Sequence, residues 1–288
     1  MVSIQTPFQR KSYAPRAEHN PTDPDSYKDP MQKRVIIDCF PESAQNYRGG
    51  YAIVAVDVIR ATTSAITIAA GGGHCFPVPS IDAGFDLSRR LCDPLLAGEI
   101  GGDIAPGFEI NNSPAELASR DLVARSVILL SSSGTRLICH AKGCDAVYLA
   151  CFRNYGCVAR LIASSHSQVA VIGAGSRGEF RVEDQMCCAW IAKDFAEMGY
   201  APANHTTFDL IKRWATEAPE VARSGKSAEY LRQSGQIKDL EFVLGHINDL
   251  RDAYLMRGDR LTVLPSDTIE SLLDHNFFRD TISRTSTA

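Results

Sequence analysis

The stretch Ala52-Ile53-Val54-Ala55-Val56-Asp57-Val58-Ile59-Arg60-Ala61-Thr62-Thr63-Ser64 sets the interpretation of the whole chain. Its first part is a continuous run of small and β-branched apolar residues, which predicts a buried strand of a parallel sheet. Residues 65–70 are compatible with a helix, and the glycines at 71–73 end it. Asp57 is therefore expected at the carboxyl end of the strand, where open α/β sheets bind their ligands.

Two functions of this stretch are open. The carboxylate of Asp57 can bind a cation, while Arg60, the hydroxyls of Thr62 and Thr63 and the unpaired N–H groups of the next helix can bind an anion. Alternatively, Asp57 and one of the threonines only cap the helix, and Arg60 pairs with an acid at the surface. The stretch alone does not choose between these functions.

Composition predicts a globular protein and is compatible with small anionic ligands. The 288 residues are 44% hydrophobic, which suffices for one large domain or two modest lobes. The formal net charge of −4 provides no basic field for a nucleic-acid backbone, whereas a small anionic ligand needs only a local cluster of cations. No run approaches the length of a membrane span and no secretory signal is recognisable, so a cytoplasmic protein without a membrane partner is expected.

Cysteine and histidine usage gives no sign of a metal or disulfide framework. The nine cysteines include no CxxC pair and have neither zinc-ligand spacing nor the density of a secreted scaffold, so reduced and mostly buried thiols are expected. The seven histidines show no ligand spacing with one another. They are interpreted as surface or core residues.

The chain is expected to divide into a tail and a structured part. Residues 1–33 contain five prolines among polar and charged residues and little to bury, which predicts a flexible N-terminal tail. These prolines are Pro7, Pro15, Pro21, Pro24 and Pro30. Residues 34–288 are expected to form the folded domain, of one or two lobes.

Strand-like and helix-like segments alternate through that domain. Strands are predicted at 34–39, 74–78, 94–98, 127–130, 146–151 and 169–173, besides the one that ends at Asp57, and helices at 81–91, 135–142, 154–166 and 181–198. This alternation predicts an α/β fold with a mostly parallel sheet and helices on both faces. The loops that follow the strands should then gather along one edge.

Those loops contain the informative polar residues. Residues 97–114 form a glycine-dense loop with three acids, and long irregular loops in compact domains are usually functional. It ends in Ser113-Pro114, a pattern typical of a helix start. Residues 131–135, Ser-Ser-Ser-Gly-Thr, can wrap an anion or form an ordinary hydroxyl-capped turn. Asn154 stands where a helix N-cap is expected.

A second glycine pattern suggests a different class of enzyme. Gly173-x-Gly175-x-x-Gly178 follows a predicted strand, and Glu197 lies about twenty residues beyond, as in a dinucleotide site. However, Glu183-Asp184 open the next helix, where two carboxylates would oppose a pyrophosphate unless a divalent cation lay between them. An oxidoreductase is therefore the weaker hypothesis, and a metal turns the same acids into ligands.

Several blocks of the sequence together resemble the 2-phosphosulfolactate phosphatase (ComB-like) family. Six of them are Val56-Asp57-Val58-Ile59-Arg60-Ala61-Thr62-Thr63, Gly98-Glu99-x-Gly101-Gly102, Pro106-Gly107-Phe108-x-x-x-Asn112-Ser113-Pro114, Gly134-Thr135-Arg136, Phe152-x-Asn154 and Ala174-Gly175-x-x-Gly178-x-Phe180-x-x-Glu183-Asp184. Further blocks follow at 227–231, 239–242 and 263–265. The blocks keep their order from about residue 34 to residue 265.

The resemblance implies a three-layer α/β/α ComB-like fold, a Mg²⁺ cofactor and hydrolysis of a phosphate monoester of a small hydroxy acid, as in coenzyme M biosynthesis. It implies catalytic roles for Asp57, Arg60, Glu99 and Asp184, and metal binding by Asp57, Glu99, Glu183 and Asp184, whose hard oxygens suit Mg²⁺. Phosphate or substrate binding is implied for Arg60, Thr62, Thr63, Asn112, Ser113, Ser132, Ser133, Gly134, Thr135 and Asn154. A homodimer is a further possibility.

Substrate and mechanism stay open within this resemblance. The family usually has Arg where this chain has Ile100, and Asn where it has Ser133, so a different phosphorylated or phosphonate substrate, or a non-catalytic member, is an alternative. An acid can activate water, or Asp57 can attack phosphorus directly. The sequence lacks the D-x-D of an aspartyl nucleophile at Asp57, which favours attack by water. Residues 246–258 resemble an insertion that could reshape a pocket rim or a subunit contact.

Overall fold

The computed structural model describes residues 32–267, and residues 1–31 and 268–288 lie outside the described part. The predicted N-terminal tail at 1–33 therefore lies outside the described residues, except for its last two. The compact unit that contains the described elements begins at Lys33. Across residues 32–267, none of the helices combines the length and the apolar character needed to cross a bilayer.

Seven strands form the larger of two sheets in the described part. Numbered in chain order, they are β1 (Arg34–Cys39), β2 (Ala52–Val56), β7 (Ala146–Ala150), β8 (Gln168–Gly173), β9 (Ala201–Pro202), β10 (Ala253–Arg257) and β11 (Arg260–Leu264). Their order is β11-β10-β7-β2-β8-β1-β9. The first five are parallel to one another, whereas β10 is antiparallel to β7 and β11 to β10. All five residues of the central β2 are buried, as its sequence predicts.

Four other strands form a smaller sheet. They are β3 (His74–Val78), β4 (Leu95–Ile100), β5 (Asp103–Ile104) and β6 (Ser126–Leu130), in the order β3-β6-β4-β5. Only β5 is antiparallel, to β4. The sequence alternation predicts a mostly parallel arrangement, but it contains no information about which strands share a sheet.

Nine α-helices cover these sheets in the described part. They are α1 (Ala61–Ala70), α2 (Ile81–Ser88), α3 (Pro114–Ala118), α4 (Gly134–His140), α5 (Tyr155–Ile162), α6 (Val182–Glu197), α7 (His205–Trp214), α8 (Lys226–Gln233) and α9 (Ile237–Gly245). Two 3₁₀ helices lie at Pro41–Tyr47 and Pro219–Ser224. The helices α5, α6 and α7 pack on one face of the larger sheet, and α1 and α4 pack on its other face. The α/β fold with helices on both faces is confirmed.

The two cores follow from the alternation of side chains along β2. Val54 and Val56 point into the core shared with α5, α6 and α7, while Ile53 and Ala55 point into the core shared with α1, α4 and the smaller sheet. Each fully buried Val or Ile contributes about 1.5–3 kcal/mol relative to exposure. A third and smaller core lies between the smaller sheet and α2.

The cysteines behave as core residues. All nine lie within the described part and are free thiols, and six of them are buried. Burial raises the pKa of the Cys151 thiol to about 11, so this thiol is uncharged at neutral pH. The expectation of reduced and mostly buried cysteines is confirmed.

Candidate active site

A cavity of about 680 Å³ lies where the carboxyl ends of strands from both sheets meet. Asp57 directly follows β2, Glu99 is the last but one residue of β4, and Asp184 lies in the first turn of α6, which follows β8. All three carboxyl groups line this cavity. Acids from three distant segments are thus brought to one wall.

The N-terminal end of α1 holds Asp57 in place. Its Oδ1 accepts a hydrogen bond from the Ala61 N–H at 3.1 Å, and Thr62 Oγ1 accepts one from the Asp57 N–H at 2.9 Å. Burial raises the pKa of Asp57 to about 7 against the opposing effect of the Ala61 N–H, and the charges of Glu99 and Glu183 add to the rise. In the protein without a bound cation, both protonation states of Asp57 are therefore populated near neutral pH, and a bound cation would favour the ionised form.

Asp184 connects the loops that follow β2 and β8. Its Oδ1 accepts a hydrogen bond from the Val58 N–H at 2.9 Å, and its Oδ2 accepts one from the Gly175 N–H at 3.2 Å. Burial raises the pKa of Asp184 well above its ordinary value, and the charges of Asp57 and Glu183 raise it further. Ionising both Asp57 and Asp184 is therefore costly unless a cation lies near them.

Glu99 braces the loop that follows β6. Its carboxylate accepts hydrogen bonds from the Ser132 N–H at 2.6 Å, the Ser132 hydroxyl at 3.0 Å and the Gly102 N–H at 2.7 Å. These bonds fix the loops after β4 and β6 against each other. Glu99 therefore shapes the cavity wall as well as contributing negative charge to it.

Glu183 lies behind the cavity wall. It is 1% exposed and does not line the cavity, and within the described part its Oε2 makes no hydrogen bond. Burial raises its pKa, while the hydroxyl of Ser227, a residue that does line the cavity, lowers it. Glu183 therefore acts on the cavity through its charge and through Ser227.

The acidic residues fit a magnesium site with few protein ligands. Within residues 32–267, no three His, Cys, Asp or Glu side chains are grouped closely enough to hold a metal ion by themselves. Mg²⁺, however, commonly binds through one or two carboxylates while waters and substrate phosphates complete its coordination. The pair Asp57 and Asp184 fits this mode. The two carboxylates repel each other when both are ionised, and a divalent cation bound between their oxygens would remove that repulsion. Of the other two predicted ligands, Glu99 lines the same cavity and Glu183 does not.

Arg60 is buried in an ion pair at the edge of the cavity. Its Nη1 lies 2.6 Å from Asp239 Oδ2 and also donates to Gln236 Oε1, and its Nη2 donates to Asn111 Oδ1 at 3.0 Å. Arg60 is 5% exposed, so it does not form the surface pair that was the alternative. Three of its five N–H donors are used, and two remain for an anion.

Sequence reasoning missed Asp239, which anchors Arg60 from α9. Its Oδ1 accepts hydrogen bonds from the Ser113 hydroxyl and, at 3.2 Å, from the Ala115 N–H, while its Oδ2 faces Arg60. The block at 239–242 belongs to the family resemblance, but the resemblance implies no role for its acid. The sequence therefore contains the acid as part of a family block, but it does not show that Arg60 is its ion-pair partner.

Four of the residues predicted to bind phosphate line the cavity: Arg60, Asn112, Ser132 and Ser133. Asn112 Oδ1 is buried without a hydrogen-bond partner in the described part, so this amide is available to a bound molecule or water. Ser133 precedes the first residue of α4 and makes no capping bond with its side chain. Ser131 also lines the cavity, so the turn at 131–135 presents three serines to it.

The structure does not bring the other predicted phosphate-binding side chains to the cavity, because each is used in local structure. Thr62 Oγ1 lies 2.8 Å from the carbonyl oxygens of Asp57 and Ala150, and Thr63 Oγ1 donates to Val58 O at 2.7 Å. Neither threonine caps α1, because both hydroxyls donate to carbonyl oxygens; of the helix-capping alternative, only Asp57 matches, since it accepts from the Ala61 N–H at the start of α1. Ser113 caps α3 by accepting from Glu116 N at 3.1 Å.

The remaining three stabilise turns. Thr135 Oγ1 accepts a hydrogen bond from Ser131 N at 2.9 Å, and Asn154 Oδ1 accepts one from Cys151 N at 2.9 Å. Gly134 packs against Asp57: a Cβ at this position would lie 2.3 Å from Asp57 Oδ2. These residues position the loops that carry the cavity-lining groups.

The glycine pattern at 173–178 serves packing and the acidic site. A Cβ on Gly173 would lie 2.2 Å from the ring of Phe180, so glycine is required there by the ring rather than by a pyrophosphate. The Gly175 N–H, which a dinucleotide would need, already donates to Asp184. These contacts argue against a dinucleotide site.

Two sequence features that raised doubts about substrate lie away from the cavity. Ile100 is 46% exposed and does not line the cavity, because its side chain points to the opposite side of β4 from that of Glu99. No residue of the insertion-like segment 246–258 lines it either. That segment packs on the loop after β7, where Asn248 N donates to Phe152 O at 2.7 Å, and it then adds β10 to the sheet.

Comparison with known proteins agrees with this architecture. The model of a family described as 2-phosphosulpholactate phosphatase matches residues 39–249. A probable 2-phosphosulfolactate phosphatase of Symbiobacterium thermophilum is 35% identical over 227 residues, which cover 77% of this chain and 93% of that protein. Proteins with the same description are 31% identical in Deinococcus radiodurans, over 73% of this chain and 88% of that protein, and 29% identical in Carboxydothermus hydrogenoformans, over 78% and 95%. On this evidence, the chain belongs to the 2-phosphosulfolactate phosphatase family.

Proposed function

We propose that this chain is a magnesium-dependent phosphatase that hydrolyses the phosphate ester of 2-phosphosulfolactate. The observation that carries the proposal is that Asp57, Glu99 and Asp184 line the same cavity as several arginines. Acids suited to a divalent cation therefore stand next to cations suited to an anionic substrate. The descriptions of the relatives support the choice of this substrate.

The charges of the cavity match the charges of this substrate. 2-Phosphosulfolactate carries a phosphate, a sulfonate and a carboxylate on a three-carbon skeleton. Five cationic side chains line the cavity: Arg60, Arg136, Arg177, Arg181 and Lys226. A cavity of about 680 Å³ lies within the usual size range of small-molecule sites.

Asp57 and Asp184 are the residues that would hold Mg²⁺, with Glu99 contributing charge from the neighbouring wall. The ion, when bound, supplies Lewis-acid stabilisation of the negative charge on the phosphate oxygens. Asp57 and Asp184 suit this role because both are buried, and ionising both of them without a bound cation is unfavourable.

Asp57 is the residue that would move the proton. Ala61 N–H binds its Oδ1, and Oδ2 accepts no hydrogen bond from the described residues, so this oxygen can accept a proton from an attacking water. Arg60, fixed by Asp239, directs its remaining N–H donors to the phosphate oxygens. The serines of the turn at 131–135 provide further polar contacts at the cavity wall.

Direct attack by Asp57 on phosphorus is the competing mechanism. Acid-quenched single-turnover reactions with radiolabelled phosphate on the substrate distinguish the two mechanisms. We expect all label to appear as free inorganic phosphate. Label bound covalently to Asp57 would establish the nucleophilic mechanism instead.

The sequence leaves two alternatives open, a different substrate and a non-catalytic role, and the structure gives no support to the features that suggest them. Ile100 prompted the idea of another phosphorylated or phosphonate substrate, yet its side chain does not reach the cavity. A non-catalytic role would be favoured by missing acids, yet Asp57, Glu99 and Asp184 are all present at the cavity. Neither alternative is favoured by a specific observation.

The test is phosphate release by metal-stripped protein with and without added Mg²⁺. We expect Mg²⁺-stimulated release from 2-phosphosulfolactate, and weaker release from 2-phospholactate and p-nitrophenyl phosphate. Folded protein that releases phosphate from none of these esters in the presence of Mg²⁺ would refute the proposal.

The same proposal includes the setting in which the protein acts. We place it in the cytoplasm, in coenzyme M biosynthesis, and with no nucleic-acid partner. The net charge of −4 supports the last of these, because it provides no basic field for a phosphate backbone. A homodimer stays a prediction, and sedimentation of the purified protein measures it directly.

A further inference from the structure

One cavity-lining cation differs from the other four in its pairing. The other four have carboxylate partners: Arg60 pairs with Asp239, Arg136 with Glu42, and both Arg181 and Lys226 with Glu179. Within residues 32–267, Arg177 makes no ion pair. Its charge is therefore the one that the described part of the fold leaves uncompensated at the cavity.

The guanidinium of Arg177 is held only by weak contacts. Its Nη2 donates to Gly101 O at 3.4 Å, a long hydrogen bond, and the group lies 5.9 Å from the centre of the Tyr230 ring. Both contacts come from residues that line the same cavity. They keep the side chain over the cavity but leave most of its five donors unused.

The backbone of Arg177 is in a conformation that arginine does not favour. Ser176 and Glu179 exchange backbone hydrogen bonds of 2.9 and 3.0 Å, which closes a two-residue turn. Both central residues have positive φ, 52° at Arg177 and 75° at Gly178, as a type I′ turn requires. Asn, Asp or Gly is preferred at the first of these positions, so Arg there sacrifices stability. Such a sacrifice at a cavity wall points to a functional role.

We propose that Arg177 binds the second anionic group of the substrate, the sulfonate or the carboxylate that accompanies the phosphate. This inference rests on the proposed phosphatase function, and it identifies the residue that selects the acid skeleton. Arg60 and the acidic residues then act on the phosphate, while Arg177 holds the opposite end of the molecule. Sulfonates and carboxylates both accept paired hydrogen bonds from a guanidinium.

The decisive variant is Arg177→Asn, because asparagine removes the charge and suits the turn. Four substrates separate the contributions: 2-phosphosulfolactate, 2-phospholactate with only the carboxylate, the phosphate ester of 2-hydroxyethanesulfonate with only the sulfonate, and p-nitrophenyl phosphate with neither. We expect KM for 2-phosphosulfolactate to rise about tenfold to a hundredfold, the range of a lost charge-assisted hydrogen bond, with kcat nearly unchanged.

The single-anion substrates identify the group that Arg177 binds. KM rises for whichever of them carries that group, and kcat/KM for p-nitrophenyl phosphate stays unchanged. Arg177→Lys should recover part of the loss, because it restores the charge without the planar fork. Arg213→Gln, which removes an exposed arginine outside the cavity, should change none of these values.

A loss shared equally by all four substrates, or no loss with any of them, would overturn the assignment. Calorimetric titration with sulfolactate, which lacks phosphate, gives a readout that needs no turnover: Arg177→Asn should weaken its binding about tenfold or more. If the native protein hydrolyses none of the esters, the proposed function fails, and this titration still decides the role of Arg177. Equal sulfolactate affinity in the native and variant proteins would refute that role.

Discussion

Asp57 and Asp184 are residues whose burial opposes the stability of the fold. Each is almost fully buried, and the negative charge of Asp57 adds to the cost of ionising Asp184. Buried acids that lack a cationic partner destabilise the folded state when they are charged. Their presence at a cavity is therefore explained by chemistry rather than by packing.

The raised pKa of Asp57 makes stability depend on pH in metal-free protein. The pKa is about 7 in the folded state and 3.8 ordinarily, so the folded state binds the proton more tightly than the unfolded state. The stability associated with that proton is complete below about pH 4 and is lost as pH rises through 7. Asp57→Asn should thus raise the melting temperature at pH 8 by about 2 °C or more and have little effect at pH 4.

Thermal melts in EDTA at both pH values measure this difference. Asp86→Asn is the matched control, because Asp86 lies at the surface in an exposed pair with Arg89 and should show no such dependence on pH. A shift of equal size at pH 4 and pH 8 for Asp57→Asn would contradict the explanation.

The buried pair of Arg60 and Asp239 gives a second prediction at this scale. Asp239→Ala leaves the arginine charge buried without a partner, which should cost about 3–5 kcal/mol of unfolding free energy. Asp239→Asn keeps the shape, so it should fold and show reduced kcat/KM because Arg60 is no longer fixed. Denaturant melts and steady-state kinetics measure the two effects.

Glu241 provides the control in the same helix. Its carboxylate pairs with Arg223 at the surface, and Glu241→Gln should leave both the melt and the kinetics unchanged. Native kinetics in a well-folded Asp239→Asn protein would contradict a positioning role for Asp239.

At the scale of elements, the N-terminal ends of α1 and α4 are in close contact beside the acidic site. Gly134, the first residue of α4, leaves no room for a side chain, because a Cβ would lie 2.3 Å from Asp57 Oδ2 and 2.4 Å from Ala61 Cβ. Gly134→Ala should therefore displace Asp57, lowering kcat at least about tenfold and stability by about 1–3 kcal/mol. Kinetics and denaturant melts check both values.

Gly245→Ala is the control for this substitution. Gly245 ends α9, and nothing lies within 4 Å of its Cβ position, so the variant should behave as the native protein. Equal activity in the Gly134→Ala and Gly245→Ala variants would show that the contact between α1 and α4 does not position Asp57.

Most individual elements could be predicted from the sequence, because the apolar runs and helical periods are local signals. The strand at 74–78 has the predicted bounds, and the helix at 182–197 differs from its prediction by one residue at each end. The helix α1 starts at Ala61, four residues before its predicted start, because the Thr62 hydroxyl bonds to the Asp57 backbone and the Asp57 carboxylate accepts from the Ala61 N–H. The division into two sheets depends on strand pairing, which alternation does not encode.

At the scale of the whole molecule, the cavity is built by parts of the chain that are far apart in sequence. The loops after β2, β4, β6 and β8 form one side, and α8 contributes Lys226, Ser227 and Tyr230. The acids could be predicted because each matches a family block and lies at the carboxyl end of a strand or at the start of the helix that follows one. The roles of Arg177 and Asp239 could not be predicted from the sequence. They depend on the position of Arg177 at the cavity and on the contact of Asp239 with the buried Arg60, and both are tertiary features.

The account depends on the acids, the cations and the substrate acting together in this cavity. The most direct test is the rate of phosphate release from 2-phosphosulfolactate by metal-stripped native and Asp57→Asn proteins, each measured with added Mg²⁺ and with EDTA. We predict turnover only by the native protein with Mg²⁺, and a loss of at least about a hundredfold in the variant although it remains folded. Undiminished turnover in EDTA, or in Asp57→Asn, would contradict the account.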